Sequence, residues 1–215
     1  MAMTTYTEIA LKVEQWLNRE GFTSLTDQTE DLILMGQRRI FRQLRVDDML
    51  VVDSAFVIDS TTESVPTDYK AAYTFSISLA GGQADMRSTP IRNLRKSGTS
   101  GIPRFFSKVG SNFYFGPSPD GTYTAELIYY AEPTLIDTGN ATNWLSLQTP
   151  ELIMFAALIE ASLFLKDDAR VQYWEAKFQN VFKSMEQESE EESRDAGGLS
   201  IVSEGITSGG TNYVP

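Results

Sequence analysis

The sequence predicts an α+β protein. It should hold an antiparallel helical bundle domain, a small β domain inserted into it, and an extended C-terminal tail. Three observations carry this. Helical periodicity occupies both ends of the ordered-looking chain, β-type alternation fills its middle, and an acidic then glycine-rich segment closes it. The boundaries follow: a helical domain from 1–48 and 146–185, a β domain over 49–145, and an extension over 186–215.

The helical signal is strongest from Thr149 to Met185. Thr149 suits an N-cap, Pro150 the first helical position, and Glu151 the positive end of the helix. Leu152 to Leu165 is apolar almost all round, as in a buried helix. Lys166-Asp167-Asp168 breaks the run, and either aspartate can cap the next helix. There Val171, Trp174, Phe178, Val181, Phe182 and Met185 recur at helical spacing, with Arg170, Gln172, Glu175, Lys177 and Gln179 opposite. The pattern predicts a hairpin of two helices ending at Met185.

At the front, Thr5 and Glu8 have capping-box spacing before a helix over 5–20. Ile9, Val13, Trp16 and Leu17 form its buried stripe and Gly21 its stop. A second helix opens at Asp27, with Glu30 completing a box-like pair, and runs to about Arg45. Its apolar side is Leu32, Ile33, Gly36, Ile40, Phe41 and Leu44. Arg38, Arg39, Arg42 and Arg45 crowd its last two turns. They read as solvated cations favoured near a helix C-terminus, or as a contact for an acidic neighbour.

From Met49 the period becomes two. Met49 to Ile58 reads as a strand, Asp59 to Ser64 as a turn, and Val65 to Tyr69 as a strand end and turn. Tyr73, Phe75, Ile77 and Leu79 alternate with small or polar residues in a half-buried strand before a turn at Gly81-Gly82. A short element over Arg87 to Lys96 turns Ile91 and Leu94 inward, and a loop runs to Gly101. Strands over Pro103–Val109 and Asn112–Phe115 flank a turn at Gly110-Ser111, the Gly116–Gly121 cluster is a rigid turn, and Thr122–Ala131 is the last strand.

Between Met86 and Pro119 lie Arg87, Arg92, Arg95, Lys96, Arg104 and Lys108, and no acid. Phe105, Phe106, Phe113, Tyr114 and Phe115 are interleaved with them. Such a mixture can hold single-stranded nucleic acid. The favoured reading makes the aromatics core and the bases surface or subunit contacts, because no RNA-binding signature accompanies them.

The chain has 215 residues, a formal charge of −11, no cysteine and no histidine. That excludes disulfides, thiolate metal sites, histidine bases and nearly all zinc sites, and it argues against a free nucleic-acid binder. No glycine-rich phosphate loop is present, and Asp167-Asp168, like Asp47-Asp48, reads as a cap rather than an acid–base pair. Met1 to Thr7 shows no secretion signal and no apolar run spans a bilayer, so a protein folded in a cytoplasm, without membrane, cofactor or enzymatic activity, is expected. Glu186 to Asp195 holds six acids and one base, and the last twenty residues hold five glycines. By composition, 186–215 should be mobile in the free subunit and order on a partner. Leu199, Ile201, Val202, Ile206, Tyr213 and Val214 are the apolar beads available for docking.

The segment from Gly101 to Pro133 and that from Asn143 to Trp174 resemble the head-to-tail adaptor proteins of tailed bacteriophages. The resembling parts are Gly101–Arg104, the Gly116–Gly121 turn, Tyr129-Tyr130, Asn143-Trp144-Leu145 and the helix–Asp-Asp–helix pair, with Val65–Tyr69. The likeness spans roughly residues 5–185. It implies a structural virion protein at the neck, assembled in the host bacterial cytoplasm as a homo-oligomeric ring, commonly twelvefold, under the portal. Such a ring extends the DNA channel, passes genomic DNA without specific binding and presents a platform to tail or nozzle proteins. Under it, Leu199, Ile201, Val202, Ile206 and Tyr213 would meet the portal. Arg38, Arg42, Arg95, Lys96 and Arg104 would meet other subunits or partners. The alternatives are a receptor- or carbohydrate-binding virion protein, with Tyr114 and Tyr123 as stacking platforms, and a hydrolase using Asp167 or Asp168.

Overall fold

The protein was analysed as a computed structural model that describes residues 3–18, 23–94 and 100–196. The fold is mixed α+β with two sheets. Helix α1 spans Tyr6–Trp16 and α2 spans Thr23–Gln43. Strands β1 (Leu50–Ile58), β2 (Thr62–Ser64), β3 (Tyr69–Leu79), β4 (Gly82–Asp85) and β5 (Arg87–Ser88) follow. After the single turn α3 (Ile91–Leu94) come β6 (Phe105–Val109), β7 (Asn112–Gly116) and β8 (Tyr123–Ala131). Helices α4 (Trp144–Gln148), α5 (Pro150–Phe164) and α6 (Asp168–Ala196) are the last elements of the described residues.

Among the described residues two apolar clusters form. The larger joins α1, α2, α5 and α6 with Val46, Met49, Ile136 and Leu145. Helix α5 is its axis: every residue from Leu152 to Ile159 is buried, as an all-round apolar helix requires. The smaller cluster lies between the sheets, ordered β1-β8-β3-β4 and β2-β7-β6-β5. Ile58, Phe75, Ala125 and Leu127 come from the first, and Phe106, Phe113 and Phe115 from the second. Phe75 meets Phe106, Phe113 and Phe115 edge-on at 5.2–5.7 Å, the geometry the ring quadrupole favours.

The helix ends differ from expectation in instructive ways. Thr5 and Glu8 do form the reciprocal capping box. The first helix stops at Trp16, however, where Asn18 takes the left-handed conformation (φ 54°); Gly21 lies outside the described residues. Trp16 is not a buried stripe residue but 47% exposed. Asp27 sits inside α2, which starts at Thr23, so it begins nothing. Thr149 makes no side-chain cap bond. Asn143 instead caps α4, a helix the sequence reading missed, in a box with Ser146. Asp167 does cap α6, accepting from the Arg170 N–H at 3.3 Å. The corner before it is a Schellman closure: Asp167 N–H to Ser162 O and Lys166 N–H to Leu163 O, with Lys166 at φ 57°.

In the β region, part of the expected Asp59–Ser64 turn is strand β2, which pairs with β7. Of the expected Gly81-Gly82 turn, Gly82 already belongs to β4, pairing with Leu79 of β3. The largest departure is at the end of α6. The acidic run expected to be mobile continues the helix to Ala196. It is tied to the body where Asp47 N–H donates to Ser189 Oγ at 3.0 Å.

One buried polar residue joins the segment after β8 to the helices. Gln37 is fully buried on the apolar side of α2. Its Nε2 donates to Ile136 O at 2.9 Å, and Ile136 N–H donates to its Oε1 at 2.8 Å. Gln37→Leu should destabilise the fold by about 2–4 kcal/mol, because both backbone groups of Ile136 are left buried and unpaired. Urea melts of the variant check this; a cost under about 1 kcal/mol would mean the loop finds other partners.

Candidate interaction surfaces

The four arginines at and just past the end of α2 separate by environment. Arg39 turns inward, pairing with Glu175 at 2.5 Å and Glu160 at 3.7 Å, with its guanidinium 5.4 Å from the Phe178 ring centroid. It clamps α2 to α5 and α6. Arg38 and Arg42, at i and i+4, share one face of α2, whereas Arg45 follows two residues past its end at Gln43. All three are exposed and form no ion pair among the described residues. Arg45 spends one N–H on the carbonyls of Leu44 and Arg42.

Lys70 was not singled out in the sequence. It falls between Tyr69 and Ala71, where the β3–β8 register shifts. Its ammonium is buried and has no hydrogen-bond partner among the described residues. Burial, then the nearby Arg45, push its pKa down to about 8, against the opposing pull of Glu132. The sign for stability follows from proton counts. Between about 8 and the ordinary value of 10.5, the unfolded chain holds more protons than the folded one, so stability rises with pH. Burial and the Asp68 contact hold the Tyr129 phenol up at about 12 from its ordinary 10.0, which reverses the slope above pH 10.0. A rise in Tm confined to about pH 8 to 10.0 is expected. Lys70→Met should raise Tm at pH 7 and flatten that rise; an undiminished rise in the variant would show that another group drives it.

The basic stretch of the β region is mixed. Phe106, Phe113 and Phe115 are core, as favoured, while Phe105 is 39% exposed. Arg104 is exposed and lines a groove of about 440 Å³ with Arg87, Asp85, Ile77, Ile102 and Phe105. Lys108 lies 5.6 Å over the Tyr69 ring. Arg95 and Lys96 lie outside the described residues, as do Leu199, Ile201, Val202, Ile206 and Tyr213. Tyr114 and Tyr123 stand on different sheets, β7 in one and β8 in the other, so they share no sheet face. The Tyr123 hydroxyl is engaged by Asp120.

Among the described residues no group of three or more acids could hold a metal ion, and no helix is long and apolar enough to cross a membrane. Asp167 is engaged by the α6 cap and by Arg170 at 3.1 Å. The surfaces on offer are therefore the exposed arginines at and just past the end of α2, a groove beside β5, and a long acidic helix end.

A protein-family model described as SU10 adaptor protein matches residues 4–200, which takes in both apolar clusters and the whole of α6. No curated protein matches the chain.

Proposed function

The chain belongs to the SU10 adaptor protein family, a family of phage adaptors, and from that premise we propose that it is the head-to-tail adaptor of a tailed phage. In this reading copies form a ring, twelvefold by the usual portal symmetry, beneath the portal in the virion neck. The ring extends the DNA channel, lets the genome pass without specific binding, and offers tail or nozzle proteins their platform. The subunit assembles in the host bacterial cytoplasm, works without catalysis, and divides into a helical body (1–48 and 146–185) and a β domain (49–145). The burial of Ile136 and Leu145 in the helical cluster supports reading the return to the helical body ahead of residue 136.

The observation that carries the reading is the family match along nearly the whole chain. The net charge of −11 supports it physically, since a channel that DNA slides through should repel phosphate. Portal contact falls to the segment after α6, through Leu199, Ile201, Val202, Ile206 and Tyr213. Fixing any segment on a partner costs roughly 1–2 kcal/mol per residue in backbone entropy, so such a contact must be extensive.

The test is imaging of the full chain with and without portal rings, beside a chain truncated after Ala196. Full-length protein should decorate portal as a ring. The truncated form should keep its melting temperature and fail to join. Unchanged portal binding by the truncated form would remove the docking role of the last residues. Free trimers that bind cell-surface sugar would overturn the adaptor reading as a whole.

A further inference from the structure

Strand β3 is covered on its outer side along only part of its length. β8 pairs with it from Tyr69 to Ile77, whereas β4 pairs with it only from Ser76 to Leu79. On the β4 side, Lys70 to Thr74 meet no strand among the described residues. The second sheet repeats the pattern. There β5 pairs with β6 only at Phe105 and Phe106, which leaves Ser107 to Val109 without a strand on that side among the described residues. Only Met86 separates β4 from β5, so both open edges lie on the same side of the sandwich. They flank one groove of about 550 Å³, lined by Tyr69, Lys70, Phe75, Ser88, Phe106 and Lys108. An open strand edge is a template for a further strand, held by main-chain hydrogen bonds and selected by its alternate side chains.

We propose that residues 199–206 of the same chain seat in this groove as an added strand. Three features select this occupant. The first is charge. The Lys70 ammonium is buried without a hydrogen-bond partner among the described residues, and Lys108, 5.6 Å over the Tyr69 ring, forms no ion pair among them. Glu204 is the one charged residue after Asp195. Asp85 lines the groove opposite Ser76, at the other end from Lys70, so the glutamate belongs at the Lys70 end. The second is pattern. In an extended chain Leu199 and Ile201 share one face, and Val202 and Glu204 the other. The first face suits the rings of Phe75 and Phe106, the second the basic end of the groove. Ile201 and Val202 are β-branched, which favours a strand. The third is reach. The bond from Asp47 N–H to Ser189 Oγ holds α6 beside the connection that carries Arg45, close enough to Lys70 for its charge to be felt there. Seven residues of helix, about 10 Å, separate Ser189 from Ala196. The eight residues from there to Glu204 reach about 26 Å when extended. Under the adaptor reading, portal and groove compete for the same residues; that consequence rests on that reading, and the seat itself does not.

Hydrogen exchange read residue by residue on the full chain, without portal, tests this. Two sets of amides are followed: those of Lys70 to Thr74 that point away from β8, and those of 199–206. Both should exchange about tenfold or more slowly in the wild type than in a full-length variant carrying Ile201→Asp with Val202→Asp. Circular dichroism melts should show the same folded body in both. Glu204→Lys should release part of the protection, and adding Lys108→Glu should recover it, because the two charges are then exchanged across the same contact. Protection should not change on dilution. Wild-type residues 199–206 that exchange as fast as an unstructured peptide overturn the seat. So does edge exchange that is equal in the wild type and the two-aspartate variant, or a charge exchange that recovers nothing. Protection lost on dilution would place a second copy's segment in the groove and overturn the same-chain assignment. Portal imaging tests the adaptor reading separately, so either can fail without the other.

Discussion

Trp174→Ala should cost about 3–5 kcal/mol of stability and lower Tm by roughly 10 °C. Trp174 is 7% exposed and closes the seam between α1, α5 and α6. Its ring lies 5.5 Å from Trp16, 6.2 Å from Phe155 and 4.6 Å from Tyr173, centroid to centroid. Truncation leaves a cavity in that seam, while Phe178 and Phe182 pack against each other further along the helix, ring centroids 5.6 Å apart. No hydrogen bond is lost, because the indole Nε1 is buried without a partner among the described residues. That makes Trp174→Phe the informative companion. It keeps most of the apolar contact and removes the unpaired N–H, so it should cost less than half as much. Tyr173→Ala, at a position 54% exposed, should cost under about 1 kcal/mol. Equal melting of the Trp174 and Tyr173 alanine variants would mean the seam is placed wrongly.

The seam was legible because α5 and the first half of α6 carry their information in periodicity, and burial obeys it. Strands β3, β6, β7 and β8 were legible for the same reason. What escaped is what periodicity does not encode. The end of α6 has no apolar stripe to count, yet glutamate is a good helix former and Arg194 pairs with Glu190 one turn away. Composition alone made that run look mobile. The stops at Asn18 and Lys166 use non-glycine residues in the left-handed region, where sequence points first to glycine. Strand β2 is three residues whose pairing with β7 exists only in the tertiary fold. Gln37 was invisible because its two partners come from Ile136, 99 positions away. The surfaces were legible as charge but not as geometry. Four arginines read as one group, and only packing shows that Arg39 is spent inside the body while Arg38, Arg42 and Arg45 are left facing outward.

Gly36→Val should destabilise the fold by about 3 kcal/mol or more, at the upper end for overpacking. Gly36 lies where α2 crosses α5. A Cβ built on it would stand 2.8 Å from Ala157 N, 3.0 Å from Ala156 C and 3.1 Å from Ala156 Cβ. Two of these three atoms are backbone, so no rotamer change clears them; the helices must part. Parting them opens the contact that buries Ile33, Ile40, Ala156 and Ala157. Helix propensity works the other way, since glycine in a helix interior costs about 1 kcal/mol relative to alanine. Gly36→Ala therefore sets that gain against a clash of about 1–3 kcal/mol and should still come out destabilising. Gly81→Ala is the control, because a Cβ there meets nothing within 4 Å. A double change decides which atoms matter. Adding Ala156→Gly to Gly36→Ala removes only the side-chain contact at 3.1 Å and leaves the two backbone contacts. Recovery should then be partial in denaturant melts. Full recovery would show that the crossing is held apart by one methyl group and not by the α5 backbone.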